Sequence, residues 1–375
     1  MIFAVTILML AVCRPHEPAN HNPLPDQEKE NPIPDYNKPE EENNDEKTDE
    51  DEDENEDENE DPDKGENGDK PPVDYPMLTL SANAASGSAY SLIRASGFDY
   101  ETPDQTGGGH EGVPHILQQF DDTLKKNVFA FVMHHANDRN VSGDWTRQRV
   151  EIKVDHRTGS SGRDFCALDG ANEGRGFIYR WKFKLPSDFA PSNEFTHIHQ
   201  IKNEGGDSSA PVISLTARLL NNNRRMVLIY RAPSFNYGSG SAENSPNRNL
   251  AGNSGNSLDD YLGEWVQCEE RVVYSSDPAL AAYSIKIIRI RDDRVLLDYT
   301  HSAARYASVE TNTEKWPFVT WRSGNTHGRP KFGLYRRIFS GGNPGVSAEP
   351  DSSSLIHGLK DETVLYADFE VIRIN

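Results

Sequence analysis

Three cysteines in 375 residues are too few to build a disulfide scaffold, and no CxxC pair or Cys/His cluster offers a zinc set. Long apolar runs are missing too. The longest, MIFAVTILMLAVC, is too short to span a bilayer. No βαβ rhythm runs through the chain, which argues against an α/β fold, and no internal repeat is present. No EF-hand-like spacing occurs either, so a bracing structural calcium stays open without a motif to mark it. A basic surplus is also lacking. By count, residues 1 to 70 hold 24 acids and 6 bases, about −18 of the total −21, and the remainder is nearly neutral. The acidic total therefore says little about what the folded part binds, and no nucleic-acid partner is expected.

The apolar stretch at residues 1–13 has the length of a signal-peptide core. Its end, LAVC, resembles the lipobox of bacterial lipoproteins, in which the cysteine, here Cys13, is lipidated. A plain signal peptide is the alternative. Both readings export the protein, either as a cell-surface or outer-membrane lipoprotein or as a freely secreted one, and a lipid anchor would be its only membrane contact. In an oxidising compartment Cys166 and Cys268 could pair, a point that sequence leaves open. Residues 14–72 are Pro, Asn, Asp and Glu with almost nothing apolar, and cannot bury enough surface to offset their ordering entropy. They are expected to form a disordered acidic linker.

From residue 73 to 375 the pattern is short runs rich in Val, Ile, Phe, Tyr and Trp, separated by Gly, Asn, Asp, Ser and Pro. Strands are expected near 127–135, 147–155, 175–185, 195–203, 211–219, 224–232, 264–275, 282–291, 294–300, 317–322, 330–338 and 363–374. Asp292 and Asp293 mark a hairpin turn. Only residues 115–126 carry a helical pattern, and they could also form strand and turn. This composition predicts one all-β domain, a β-jelly roll: a concanavalin-like sandwich of two antiparallel sheets.

Alternation splits each strand into two faces. In RQRVEIKV, Val150, Ile152 and Val154 should point inward, leaving Arg147, Arg149, Glu151 and Lys153 outside. In FTHIHQIKN strict alternation puts His197 and His199 on one face and Gln200 on the other. In RPKFGLYRRI it groups Lys331, Gly333, Tyr335 and Arg337, and Gly333 would let a ligand approach the backbone. FIYRWKFKL adds Arg180, Lys182 and Lys184. Placed together, these strands would line a cationic groove suited to an anionic polymer.

The order R-x-E-x-K, H-x-H, K-x-G-x-Y resembles the signature strands of the alginate-lyase-like jelly-roll polysaccharide lyases. Their motifs run R-[ST]-E-[LV]-R, Q-[IV]-H and Y-F-K-A-G-x-Y, and heparin-lyase-like and glucuronan-lyase-like enzymes share the architecture. The resemblance implies a carbon–oxygen lyase that cuts a uronic-acid polysaccharide by β-elimination, without a required cofactor or catalytic metal, and a monomer is expected. It matches His199 to the family's catalytic histidine and places His197 where the family has glutamine. Arg149 would neutralise the uronate carboxylate, His199 would take the C5 proton, and Tyr335 would protonate the leaving oxygen. The expected catalytic residues are therefore His199, Tyr335 and Arg149. Substrate binding falls to His197, Lys331, Gln200, Glu151, Lys153, Arg147 and Arg337.

Two other readings fit parts of the pattern. His197, His199 and Glu204 have the H-x-H-x4-E spacing of a metal-dependent cupin, although the later histidine ligand is missing. A non-catalytic carbohydrate-binding sandwich could use the same groove. His134, His135, His301 and His327 are expected to be structural or surface histidines.

Overall fold

The computed structural model describes residues 75–374, apart from 84–87, 141–143, 168–173, 234, 237–241, 244–246, 253–255 and 341–354. The expected signal peptide or lipobox and the acidic linker lie outside the described residues. Strands form where apolar side chains alternate. In chain order they are β1 (Met77–Leu80), β2 (Phe98–Glu101), β3 (Ile116–Asp121), β4 (Lys126–Met133), β5 (Arg147–Val154), β6 (Gly176–Lys184), β7 (Thr196–Glu204), β8 (Ile213–Leu220) and β9 (Asn223–Arg231). There follow β10 (Phe235–Asn236), β11 (Ala242–Glu243), β12 (Asn247–Ala251), β13 (Trp265–Val273), β14 (Ala282–Arg289), β15 (Arg294–Thr300), β16 (His327–Arg337) and β17 (Glu362–Arg373). The helices α1 (Ala89–Ala95), α2 (Pro103–Thr106), α3 (Ser161–Cys166) and α4 (Ala303–Ala307) are short. None of the described helices is long and apolar enough to cross a membrane.

Two antiparallel sheets make the sandwich. One runs β15-β14-β13-β6-β17-β4-β3, with β1 also on β17, and the other runs β12-β9-β8-β7-β16-β5-β2. The inner face of β6 supplies Phe177, Tyr179, Trp181 and Phe183, all fully buried, and that of β5 supplies Val150, Ile152 and Val154. Trp181 meets Phe332 of β16 across the sandwich at 5.2 Å between ring centres. The basic side of β6 faces away from both the core and the second sheet. Arg180 pairs with Glu269 at 2.7 Å and Lys182 with Asp368 at 2.6 Å, so these residues do not join the expected groove.

Residues 115–126 take the strand-and-turn alternative and form the β3–β4 hairpin, not a helix, because Asp121 takes the backbone N–H groups of Thr123 and Leu124 into a turn and Lys125 adopts a left-handed φ of 53°. One expected strand is corrected. The apolar stretch 317–322 is buried coil. Its carbonyls at Pro317 and Val319 accept from the Tyr230 hydroxyl in place of a strand neighbour. The Asp292–Asp293 turn between β14 and β15 forms as expected, with Asp293 at φ 52°. Cys166 and Cys268 are both buried and unpaired.

Strand β7 departs from strict alternation. His197 pairs with Thr216 and His199 with Leu215, so two steps on β7 answer one on β8. This bulge turns the side chains after Ile198 over by one position. Gly333 has a different reason for being glycine from the one expected. Its φ is 140°, and a Cβ there would lie 2.2 Å from the Val150 carbonyl oxygen and 2.6 Å from the Glu151 Cα. The neighbouring strand, and not a ligand, demands the missing side chain. Gly333→Ala should therefore lower the unfolding free energy by at least about 1–3 kcal/mol, read as a lower urea midpoint. An unchanged midpoint would show that β16 and β5 separate freely.

Candidate active site

The outer faces of β5, β16, β7, β8 and β9 form the floor of a cleft of about 310 Å³. Because β16 lies between β5 and β7, Tyr335 stands beside Arg149 on one side and His197 on the other. Arg147, Arg149, His197, Gln200 and Tyr335, all expected in the site, line the cleft. It also receives Lys202, Arg218, Arg231, Glu194 and Phe195. Among the described lining residues, five cationic side chains thus accompany one carboxylate. Arg147 and Arg218 each keep a buried Nε–H without a hydrogen-bond partner. An anion would satisfy these donors, whereas in an empty cleft their burial is costly.

Beneath this lining lies an ionic layer. Glu101, at the end of β2, accepts from Arg149, from Lys153 at 2.6 Å and from Lys331 at 2.5 Å. Glu151 lies 3.3 Å from the Lys331 ammonium and 3.4 Å from Arg149 Nε, and accepts from Gln200. Lys331, Lys153 and Glu151 are nearly or fully buried, so their first task is to hold Arg149 and Gln200 in place. Arg337, the remaining expected binding residue, ends β16 and donates to the Phe339 carbonyl at 2.9 Å. Burial opposes ionisation of Glu101, yet Lys331, Arg149 and Lys153 outweigh it and hold the carboxyl far below the ordinary carboxylate range.

Tyr335 lies under a cation: the Arg149 guanidinium carbon sits 3.9 Å from its ring centre. Phe195 stacks on His197 at 4.6 Å and meets Tyr335 at 5.3 Å, closing one wall. His197 Nδ1 is 2.7 Å from the Thr216 hydroxyl, which leaves Nε2 as the nitrogen not engaged there. Burial, reinforced by Arg149, Arg218 and Arg147, pushes its pKa down to about 3, so the imidazole is neutral at working pH. Lys202 is also affected. Burial and the neighbouring Lys331 and Arg149 lower its pKa to about 8.

The expected common face of His197 and His199 does not form. The bulge turns His199 into the core, where it is fully buried, lies between Trp181 at 4.4 Å and Phe332 at 4.8 Å, and bonds Glu270 at 2.7 Å. It does not line the cleft. Gln200 takes the groove position instead, followed by Lys202. The groove-side sequence Gln200-Ile201-Lys202 then fits the first two positions of the Q-[IV]-H pattern, with lysine in place of histidine. The cupin-like metal set is not assembled, since His197 and His199 point to opposite faces and Glu204 is bound to Arg329. Lys202 was missed because strict alternation put it on the face opposite His197 and His199. Arg218 and Arg231 were missed because β8 and β9 carry no motif, although charged residues on otherwise apolar strands were a usable signal.

No protein-family model and no curated protein sequence matches the chain. Solved structures that it resembles include the endo-β-1,4-glucuronan lyase of the fungus Trichoderma reesei, 15% identical over 71% of this chain and 93% of that one, with a TM-score of 0.38. An alginate lyase of Pseudomonas aeruginosa is 12% identical over 68% and 86%, with a TM-score of 0.36. A carbohydrate esterase of the Shiga toxin-encoding bacteriophage phi24B is 11% identical over 80% and 98%, with a TM-score of 0.35. At these identities and scores the likeness assigns no activity, and the reading of function rests on the cleft itself.

The ionic layer makes a prediction about stability. A carboxyl with a depressed folded-state pKa stabilises the fold above its unfolded value, 4.5 for glutamate, and that contribution fades as pH falls below it. Glu101→Gln leaves three neighbouring cations short of a counter-charge. It should cost about 3–5 kcal/mol in urea unfolding at pH 7 and flatten the loss of stability seen on acidification. A variant as stable as the parent at pH 7 would remove Glu101 from this role.

Proposed function

We propose that the chain is a polysaccharide lyase that cuts a uronic-acid polymer, such as glucuronan or alginate, by β-elimination in this cleft. The observation that carries the reading is the Arg149–Tyr335–His197 row: a cation, a phenol and a neutral imidazole side by side in a cationic cleft. The C5 proton of a uronate is weakly acidic because its removal would place a second negative charge on the carboxylate. Arg149 neutralises that carboxylate and stabilises the charge that develops on it. His197 is the base assigned here, in place of His199. Its Nε2 takes the C5 proton, the C5–H electron pair forms the C4–C5 double bond, and the C4–O bond breaks. Tyr335 gives its proton to the departing O4, and Phe195 excludes water from the row. A bound carboxylate also offsets the cations that hold the His197 pKa down, so substrate strengthens the base.

Gln200, held by Glu151, and Lys202, Arg147, Arg218 and Arg231 bind flanking carboxylates. An exported enzyme, anchored by Cys13 or freely secreted, would meet such a polymer outside the cell. The decisive assay incubates the protein with glucuronan, alginate and other uronate polymers and follows the ultraviolet absorbance of the unsaturated product. Absorbance that grows with enzyme concentration is expected, and binding without any product would make the cleft a binding site only. Tyr335→Phe should lower kcat by about 10²–10⁴-fold with KM nearly unchanged. Lys202 loses its charge as pH rises through about 8, so KM for the anionic polymer should increase above that pH. Lys202→Met should raise KM at pH 7 and remove this dependence; a variant that keeps the alkaline rise in KM would assign it to another group.

A further inference from the structure

Away from the cleft, the loop after β2 and the loop after β4 bring three histidines onto one aspartate. His110 Nδ1 and His115 Nε2 lie 3.1 and 3.0 Å from one oxygen of Asp138, and His134 Nδ1 lies 3.5 Å from the other. One ligand atom from each of the four falls within 4.8 Å of the rest. His115 and Asp138 are fully buried. The Nδ1 atoms of His110 and His134 are buried without a hydrogen bond, their approach to Asp138 being too misaligned to make one. One carboxylate cannot serve three imidazoles that converge on it. A cation among them would give each nitrogen lone pair a partner.

The surroundings are built for this convergence. The Gly107-Gly108-Gly109 run lets the two loops press together: a Cβ at Gly108 would lie 2.4 Å from the Arg139 carbonyl oxygen, and the Gly108 carbonyl accepts from Arg139 N at 2.7 Å. His110 is held at φ 59°, a conformation seldom taken by non-glycine residues, and such strain gathers at functional sites. His115 Nδ1 is 2.9 Å from Asp104, whose carboxylate also accepts from the Tyr90 hydroxyl at 3.0 Å. That carboxylate favours the proton on Nδ1 and so turns the Nε2 that bonds Asp138 toward the cluster as the ligand nitrogen, the arrangement usual for metal-bound histidine. The His134 backbone N–H donates to Asp138 at 2.6 Å, and Gln148 of β5 donates to the carbonyls of His134, His135 and Asp138. The ligand loop is thereby tied to the sheet that carries the cleft.

We infer that His110, His115, His134 and Asp138 form a binding site for a borderline divalent cation of the zinc class. Three nitrogens and one oxygen are a common zinc set, with metal–ligand distances of about 2.0–2.2 Å, whereas calcium and magnesium prefer oxygen alone. All four positions are filled from the protein, so the site is structural, clamping the β2–β3 loop to the β4–β5 loop. Sequence spacing did not reveal it, because the ligands span 29 positions on two loops.

The test strips the full-length protein with a chelator and returns either zinc or cobalt(II) in the presence of excess magnesium, which occupies the weak carboxylate sites of the acidic N-terminal segment. One zinc per chain should survive desalting and raise Tm. Cobalt should show the intense visible bands of four-coordinate nitrogen ligation. His110→Ala and His134→Ala, both in loops and partly exposed, should lose the retained zinc and the cobalt bands. Asp104→Asn should weaken zinc binding by about 10–100-fold. Zinc retained equally by the parent and both alanine variants, or no four-coordinate cobalt spectrum in the parent, would overturn the site. The cobalt spectrum decides the matter even if a variant fails to fold.

Discussion

Arg149, Lys153 and Lys331 stand side by side on two paired strands because Glu101 and Glu151 lie among them. Three cations gathered in a partly dry floor would repel one another and lose hydration, a cost that removal of their counter-charge exposes. The two carboxylates offset it and also aim the donors. Arg149 is held over the Tyr335 ring, and Gln200 is held by Glu151. The floor is therefore pre-organised for an anion before any anion arrives, so little reorganisation is left for the substrate to bring about. The unpartnered Nε–H groups of Arg147 and Arg218 lie beyond the reach of this layer.

A single extra residue in β7 decides which imidazole faces the cleft. Without the bulge, His197 and His199 would both face the cleft, and Gln200 would point into the sandwich. With it, His199 becomes a core residue whose Nε2 is bonded by Glu270, itself held by the Tyr283 hydroxyl at 2.7 Å, while Nδ1 is buried without a hydrogen bond. A buried imidazole–carboxylate pair between Trp181 and Phe332 is an expensive filling for a core and fixes the register of the two sheets more sharply than an apolar residue would. Lys202 and Gln200 are brought out by the same step. The loss of His199 from the cleft and the arrival of Gln200 and Lys202 thus share one backbone irregularity.

Much of this was legible in the sequence. Period-two alternation located β5, β6, β16 and β17 because both sides of each strand are chemically distinct, and the Arg149, Tyr335 and His197 positions followed from it. The errors came where alternation fails or a local pattern misleads. The β7 bulge reversed the roles of His199 and Gln200. The edge strand β3 read as helix because Leu117 and Phe120 are exposed apolar residues, and an edge strand need not alternate cleanly. The basic side of β6 was assigned to the groove because face patterns show that a side is polar without showing which sheet it belongs to. Gly333 was identified correctly as special, but the close neighbour is Val150 of β5, a contact between residues far apart in sequence.

The cleft and the histidine cluster are joined by two residues. Glu101 ends β2, and the segment that follows it, from Thr102 through α2 to His115, carries Asp104, His110 and His115. Gln148 precedes Arg149 on β5, and its amide holds the loop that carries His134 and Asp138 while its oxygen accepts from Arg336 at 2.9 Å. On β5 a groove residue, Arg149, thus stands next to an anchor of the cluster, Gln148, and on β2 Glu101 of the ionic layer is followed three positions later by Asp104, which bonds His115. A clamp on the two loops would restrict the ends of β2 and β5 together, and with them the distance from the Glu101 carboxylate to Arg149. Since charge-assisted hydrogen bonds weaken steeply with misalignment, fixing both loop ends is a direct way to keep the floor of the cleft in its aligned state. The cluster's contribution to the cleft is therefore one of position, exerted through backbone it shares with Glu101 and Gln148.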